Sequence, residues 1–333
     1  MQLKDRMKNN IVKLIKESKK IVLFHHEKPD GDALSSSYAL LKGIQKTFPD
    51  KEVKWVADKN YIENRFPYLN IDYSDNISDL SLINDEWLGI IGDCSNIKRI
   101  FGNEALSSAG KKACFDHHRN DIDFECDAFW HEPTYPASAI QSYEIAKELK
   151  IEFDAELALQ FVFGILTDTG NFKYSLNDTR PLQAATELFE FIDRDRISYV
   201  YNEMNVKTKT DIAVQGFAFT NYVFNAETKF AYCLWTKETM EKLKITEGDA
   251  HRPNILANVE GAEVWAFFVY DAEKDKIKCE LRSTGKLAVN EIAAQFGGGG
   301  HIPAAGATIE PDWKIVDKVI EAINNKQKEI LNN

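Results

Sequence analysis

The sequence lacks a thiolate pair. Its five cysteines, at 94, 114, 126, 233 and 279, are odd in number and contain no CxxC spacing, which argues against both a disulfide framework and a thiolate zinc site. They read as small buried hydrophobes. No run approaches the roughly 18 consecutive apolar residues of a membrane span, and the opening MQLKDRMKNNIVKLIKESKK has no apolar signal core. The expectation is a cytoplasmic protein without a membrane partner. That opening reads as a surface helix with Leu3, Met7, Ile11, Leu14 and Ile15 on one side, its positive face interrupted by Asp5 and Glu17. Basic excess is missing too: 41 Lys and Arg stand against 52 Asp and Glu, a net charge of −11. A long nucleic-acid duplex needs a broad cationic surface and is not an expected partner. A short anion held by local devices remains compatible with this charge. There is no internal repeat, and the one low-complexity element is the four glycines 297–300.

What is present is 333 residues with 44% hydrophobic content, enough for about two domains. KKIVLF, VKWVA, WLGIIG and KKACF are short apolar runs separated by longer segments, several with helical period. Near-continuous apolar strands are buried on both faces, which predicts an α/β fold with a doubly wound parallel sheet. Residues 33–48 place Leu34, Tyr38, Leu41, Ile44 and Phe48 on one helical stripe, and further helices are expected near 137–150 and 155–167. Beyond Arg180 the pattern changes. Residues 182–205 read as helix, NVKTKTD as a polar boundary, and FAYCLWT, AEVWAFFVY and IKCELRS as strands of a second, smaller α/β domain with a mixed sheet. Val316, Ile320 and Ile323 mark a terminal helix. The expected division is a catalytic domain 1–185, a helical linker 186–220 and a substrate domain 221–333.

Titratable groups follow the apolar runs at once. IVLF leads into His25, His26, Asp30 and Asp32; GIIG into Asp93; ACF into Asp116, His117 and His118; and in GILTDTGNF Asp168 follows a helix end. In a parallel sheet the carboxyl ends of strands lie along one edge, so these residues are predicted to converge. A lone Asp at such a place is commonly a helix cap or turn residue. Four carboxylates together (Asp30, Asp32, Asp93, Asp168) repel unless cations lie among them, and two divalent ions would cancel their charge. Five of the seven histidines fall in His25-His26, His117-His118 and GGGGH, whereas His131 and His251 read as surface or core residues. The spacing of His26, Asp30 and Asp32 suits a loop with alternate side chains in one cavity, shaped by Pro29 and Gly31, with His25 facing away. Imidazole and oxygen ligands without thiolate fit manganese better than calcium, with magnesium, iron, cobalt and zinc as alternatives. A pair of such ions serves displacement at phosphorus, so the pattern points to a phosphoesterase. Further on, GGGGH is either a turn or a backbone approach to an anion with His301 beside it, and Arg282 is either a solvated strand end or a phosphate clamp.

FHHEKPDGDA, GDCSN, FDHHRN and GILTDTGNF, in that order, resemble the four motifs of the DHH phosphoesterase superfamily, and RSTGKLAVNEIAAQFGGGGHIPAAGA resembles its DHH-associated C-terminal domain. Together they span nearly the whole chain. The resemblance implies two divalent cations, manganese foremost and magnesium or cobalt next: one on His26, Asp30 and Asp93, the other on Asp32, Asp93, His117 and Asp168. Asp93 then bridges the pair, and water activated between the ions is the nucleophile. His118 is implied as hydrogen-bond donor or general acid, and Asp116 as the group orienting an imidazole. Arg282, Ser283, Gly298, Gly299, Gly300, His301 and Arg99 form the implied substrate set, in a cleft between the domains. The implied substrates are oligoribonucleotides of a few residues and 3′-phosphoadenosine 5′-phosphate. The alternatives are a linear dinucleotide such as pApA, or a nucleotide-binding regulator without turnover. A homodimer is a further expectation. Two departures stand out: Ser35 replaces the family's glycine after Asp-Ala-Leu, predicting a helix start slightly farther from the ions, and GDAHRPN replaces a Gly-Leu-Val-Asn type segment while keeping Asn254. The second bears on recognition, not on chemistry.

Overall fold

The four apolar runs fold into neighbouring strands, and a fifth strand joins them. In the computed structural model, which describes residues 3–119 and 121–332, β1 (Lys20–Phe24), β2 (Glu52–Val56), β3 (Trp87–Gly92), β4 (Lys111–Asp116) and β5 (Ala128–His131) form a parallel sheet in the order β2-β1-β3-β4-β5. The side chains of Leu3 and Asp5, and Asn120 of the FDHHRN motif, lie outside the described residues. All six residues of β3 are buried, as expected for a central strand covered on both faces. β5 is four residues long and alternates buried with half-buried positions, too brief a pattern to stand out in the sequence. The register pairs Phe24 with Val56 and with Ile91, and Gly92 with Phe115. The carboxyl ends of β1, β3 and β4 are therefore level along one edge.

Helices cover both faces of this sheet. Around it run α1 (Leu3–Glu17), α2 (Gly31–Thr47), α3 (Lys59–Arg65), α4 (Asn103–Ser108), α5 (Ser138–Glu148), α6 (Ala155–Asp168), α7 (Arg180–Phe189) and α8 (Arg194–Met204). One core gathers Ile11, Leu34, Leu41, Phe161 and Leu188; the opposite one gathers Val22, Phe24, Ile91, Leu106 and Cys114. Leu34, Tyr38, Leu41 and Ile44 of the predicted stripe are buried. Ser35 is buried against α6 at Gly164, where an added Cβ would come within 2.7 Å of the Ser35 Cβ. The missing side chain on α6 makes room for it. Residues 182–205 form two helices instead of one, because the Asp193 carboxylate accepts from the Arg196 amide and starts α8 afresh.

The second unit is built on a six-stranded sheet in the order β10-β11-β9-β8-β7-β6. Its strands are β6 (Val223–Asn225), β7 (Phe230–Trp235), β8 (Val264–Asp271), β9 (Lys276–Ser283), β10 (Gly299–His301) and β11 (Ala304–Ile309), and its helices α9 (Lys209–Asn221), α10 (Lys237–Leu243), α11 (Glu247–Ala250), α12 (Val289–Gln295) and α13 (Trp313–Asn332). β7 and β8 are parallel and the remaining pairs antiparallel, so the sheet is mixed. β9 alternates strictly: Ile277, Cys279 and Leu281 enter one core, while Lys278, Glu280 and Arg282 lie on the other face. The chain divides into compact units at Asn205/Val206. The segment 186–220 is accordingly shared, Val200 packing in the first core and Val214 and Ala218 in the second. All five cysteines are free and four are buried. Among the described residues no helix is long and apolar enough to cross a membrane.

Candidate metal centre and active site

The chain leaving β1 is held by a short bridge to residues 97–101. Phe101 N donates to His25 O (2.9 Å) and Glu27 N to Arg99 O (2.6 Å), with His26 paired to Ile100. Successive side chains therefore point opposite ways. His25 enters the core, stacked on Phe101 with centroids 5.9 Å apart, and burial pushes its imidazole down to about 4. It stays neutral and outside the cluster. His26 faces the sheet edge, its Nδ1 2.9 Å from Glu27 O.

Asp30 does cap α2, accepting from Asp32 N (3.1 Å) and Ala33 N (3.0 Å). Gly31 packs against Thr167, which a Cβ would meet at 2.5 Å, so only glycine lets the start of α2 approach the end of α6 and Asp168. Asp32 is fully buried. Its two oxygens accept from Ser138 N and Ala139 N, each at 2.7 Å, amides at the start of α5 that Ala137 has no side chain to satisfy. Asp93 follows β3 with φ 64°, donates its amide to Phe115 O (3.0 Å) and accepts from Ser138 Oγ (3.0 Å). A non-glycine residue in that conformation at a strand end is a mark of a functional site. His117 Nδ1 lies 3.0 Å from Tyr135 O, and His118 Nδ1 2.8 Å from Asp116 Oδ1. His131 of β5 donates from Nε2 to the carbonyl of His118.

These segments bring six side chains around Asp93. His26 Nε2 stands 3.9 Å from Asp30 and 3.7 Å from Asp93; His117 Nε2 stands 3.8 Å from Asp32, 3.4 Å from Asp93 and 3.4 Å from Asp168. His118 Nδ1 is 3.5 Å from Asp93. Three groupings could each hold an ion: His26, Asp30 and Asp93; Asp32, His117 and Asp168; Asp93, His117 and His118. Burial, and then repulsion from Asp168 and Asp30, pushes Asp32 well up; burial and then Asp32 does the same to Asp93. Asp168 is also raised by burial, against the pull of His117. No lysine or arginine pairs with these four carboxylates among the described residues.

The donor set fits divalent cations. A backbone carbonyl can only accept, so Nδ1 of His26 and of His117 carries a proton, and Nε2 is the atom that faces the carboxylate oxygens and offers a lone pair in the neutral, metal-binding form of the ring. The separations exceed the roughly 2.7–3.2 Å of ordinary N–H···O bonds, and the two shortest, His117 to Asp93 and to Asp168 at 3.4 Å, match the roughly 3.4 Å between neighbouring tetrahedral ligands of one ion at about 2.1 Å. Asp116 and His118 differ from the rest. Burial pushes the Asp116 carboxyl up, but hydrogen bonds from His118 and Ser95 outweigh it and hold it below its ordinary value; the Asp116 bond in turn raises His118 against burial.

The remaining predicted residues fall into two groups. Arg99 is exposed in the first unit, and its charge is felt at His118. The others lie on the second sheet. Register places His301 beside Ala304, Ala304 beside Arg282 and Arg282 beside Trp265, one row on one face. Arg282 donates to Leu281 O (2.9 Å) and lies 3.4 Å from Glu280, which His251 also meets at 3.4 Å. Two local arrangements bear on this set. The hydroxyl of Ser283 is engaged inside its own turn, donating to Leu287 O (2.7 Å) and accepting from Gly285 N (3.1 Å). The four glycines do not offer a run of free amides, because Gly297 N and Gly298 N bond Ala294 O and Ala293 O and close α12. Gly299 and Gly300 belong to edge strand β10. Ser138 and His131 were missed in the sequence, since neither sits in a motif; the one signal for Ser138 was its place at the start of a predicted helix.

The family model described as DHH family, N-terminal domain, matches residues 20–165, and that described as DHHA1 domain matches residues 228–329. The chain belongs to the DHH phosphoesterase family and is a hydrolytic enzyme. It is similar to the Mycoplasma pneumoniae protein named bifunctional oligoribonuclease and PAP phosphatase NrnA, 32% identical over 321 residues, 96% of this chain and 95% of that one. The Bacillus subtilis protein of the same name is 28% identical over 331 residues, 97% of this chain and 99% of that one. Among solved structures, an exopolyphosphatase-related protein from Bacteroides fragilis shares the fold at TM-score 0.81 and 26% identity, covering 99% of this chain and 98% of that one.

Proposed function

We propose that this chain acts in the cytoplasm on very short oligoribonucleotides and on 3′-phosphoadenosine 5′-phosphate, with two divalent cations, manganese foremost. One observation carries the reading: the Nε2 atoms of His26 and His117 and the carboxylates of Asp30, Asp32, Asp93 and Asp168 face one another, with no lysine or arginine paired among them in the described residues. The names of the relatives point to the same substrates.

His26, Asp30 and Asp93 would hold one cation, and Asp32, Asp93, His117 and Asp168 the other. When bound, such ions neutralise phosphoryl oxygens and lower the pKa of water. The chain prepares the ligands. Ser138 and the first amides of α5 fix Asp93 and Asp32 in place, so little reorganisation is left for the reaction. Asp116 accepts the Nδ1 proton of His118 and favours its charged form, leaving Nε2–H to donate to a phosphoryl or leaving oxygen. Arg99 adds positive charge at the same edge. Arg282, His301, Gly299 and Gly300 of the second unit are assigned to substrate recognition.

Hydrolysis assays with manganese test this directly, comparing RNA dinucleotides, 3′-phosphoadenosine 5′-phosphate, pApA and pyrophosphate. Mononucleotide from the RNA dinucleotides, alongside phosphate from 3′-phosphoadenosine 5′-phosphate, is the expected result. Strong preference for pApA would reassign the substrate to linear dinucleotides. Binding without turnover of any of them would contradict an enzymatic role.

A further inference from the structure

A cavity of ≈ 340 Å³ in the first unit is lined by Asp30 together with Arg65, Tyr68, Asn171 and Met204. This volume is at the low end for small-molecule sites. Asp30, Thr167 and Asn205 of its lining are hydrogen-bonded within their own helices, whereas the side chains of Arg65, Tyr68 and Asn171 are uncommitted among the described residues. Arg65, at the last turn of α3, lies over the ring of Phe66 at 5.7 Å and pairs with no carboxylate among the described residues, in a chain with 52 acidic residues. The amide of Asn171 and the hydroxyl of Tyr68 make no side-chain hydrogen bond among the described residues either. Asn171 and Phe172 both have positive φ, 59° and 68°, a costly conformation for phenylalanine that recurs at ligand sites. A guanidinium and an amide suit a phosphodiester, and a half-buried aromatic ring suits a base.

We propose that this cavity is the subsite for the nucleotide flanking the scissile linkage, with Arg65 and Asn171 on its phosphate and Tyr68 against its base. The assignment rests on the function proposed above, which places the scissile phosphate at the cluster containing Asp30. It also accounts for selection of short RNA within the acidic first unit: one nucleotide is held by one arginine, without an extended cationic track.

The test is Arg65→Ala in the full chain, with Arg65→Lys beside it. Arg65 is exposed, so neither change threatens the fold. Steady-state kinetics on a 5′-phosphorylated RNA dinucleotide, which carries a phosphate besides the scissile one, and equilibrium binding of its phosphorothioate-linked analogue are measured together. KM and the analogue Kd should rise about tenfold in Arg65→Ala, the loss typical of one charge-assisted bond, with a much smaller effect on kcat and partial recovery in Arg65→Lys. Unchanged KM and unchanged Kd overturn the subsite. If the wild-type chain binds the dinucleotide analogue but turns over no RNA, the functional reading fails and the subsite is judged by binding alone: weaker binding by Arg65→Ala upholds it, equal binding or none overturns it.

Discussion

In the first unit the three most deeply shared candidate ligands are held from outside their own segments: Asp32 by the amides of Ser138 and Ala139, Asp93 by the Ser138 hydroxyl, His117 by the Tyr135 carbonyl, while His26 and Asp30 bond within their own loop. In the second unit the candidate recognition residues bond close to home. Arg282 turns to Leu281 and Glu280, Ser283 to Leu287, and the amides of Gly297 and Gly298 close the helix just before them. The contrast separates two tasks. A buried cluster whose charges are balanced only as a set loses everything when one shared member goes, whereas a sheet face with local partners can lose one contact and keep the rest.

Substitutions in each unit can break or sharpen that contrast. Asp93→Ala, at the member common to both ion groupings, should reduce turnover to background, beyond the roughly 10⁴-fold limit of a single acid–base group. Activity near wild type would remove Asp93 from the centre. His118→Ala should lower kcat by roughly 10²–10³-fold while the protein still binds cations; a loss confined to KM would show that His118 only binds. Ser138→Ala removes the hydrogen bond to Asp93 and should cost about tenfold in kcat or cation affinity, as for outer partners of metal ligands. No change in either would mean that Asp93 is held well enough by its backbone. Arg282→Ala should raise KM about tenfold with little effect on kcat, and an unchanged KM would take Arg282 out of recognition.

The parallel sheet and the clustered residues could be read from the sequence because β1, β3 and β4 are near-continuous apolar runs and chemistry begins at or just after the last residue of each. His25 and His26 could be separated because strand side chains alternate. Other features depend on pairings that leave no local trace. Ser138 meets Asp93 only because the start of α5 reaches the residue that follows β3, and His131 meets His118 only because β5 pairs with β4 in the register Asp116 to His131. The break between α7 and α8 turns on one residue, Asp193, whose carboxylate outweighs the helical period running through 182–205. GGGGH misled in part because glycine serves a helix end and an anion site by the same freedom at positive φ, and Gly297, at φ 76°, takes the first role.

The central claim is that the residues around Asp93 form one centre balanced by a pair of cations. Equilibrium binding of Mn²⁺ to the metal-stripped chain, read from the spin resonance of the free ion, tests it without reference to substrate. The account predicts two ions per wild-type chain and fewer than two, more weakly held, in Asp93→Ala. Equal binding by the two proteins, or none by either, would contradict it.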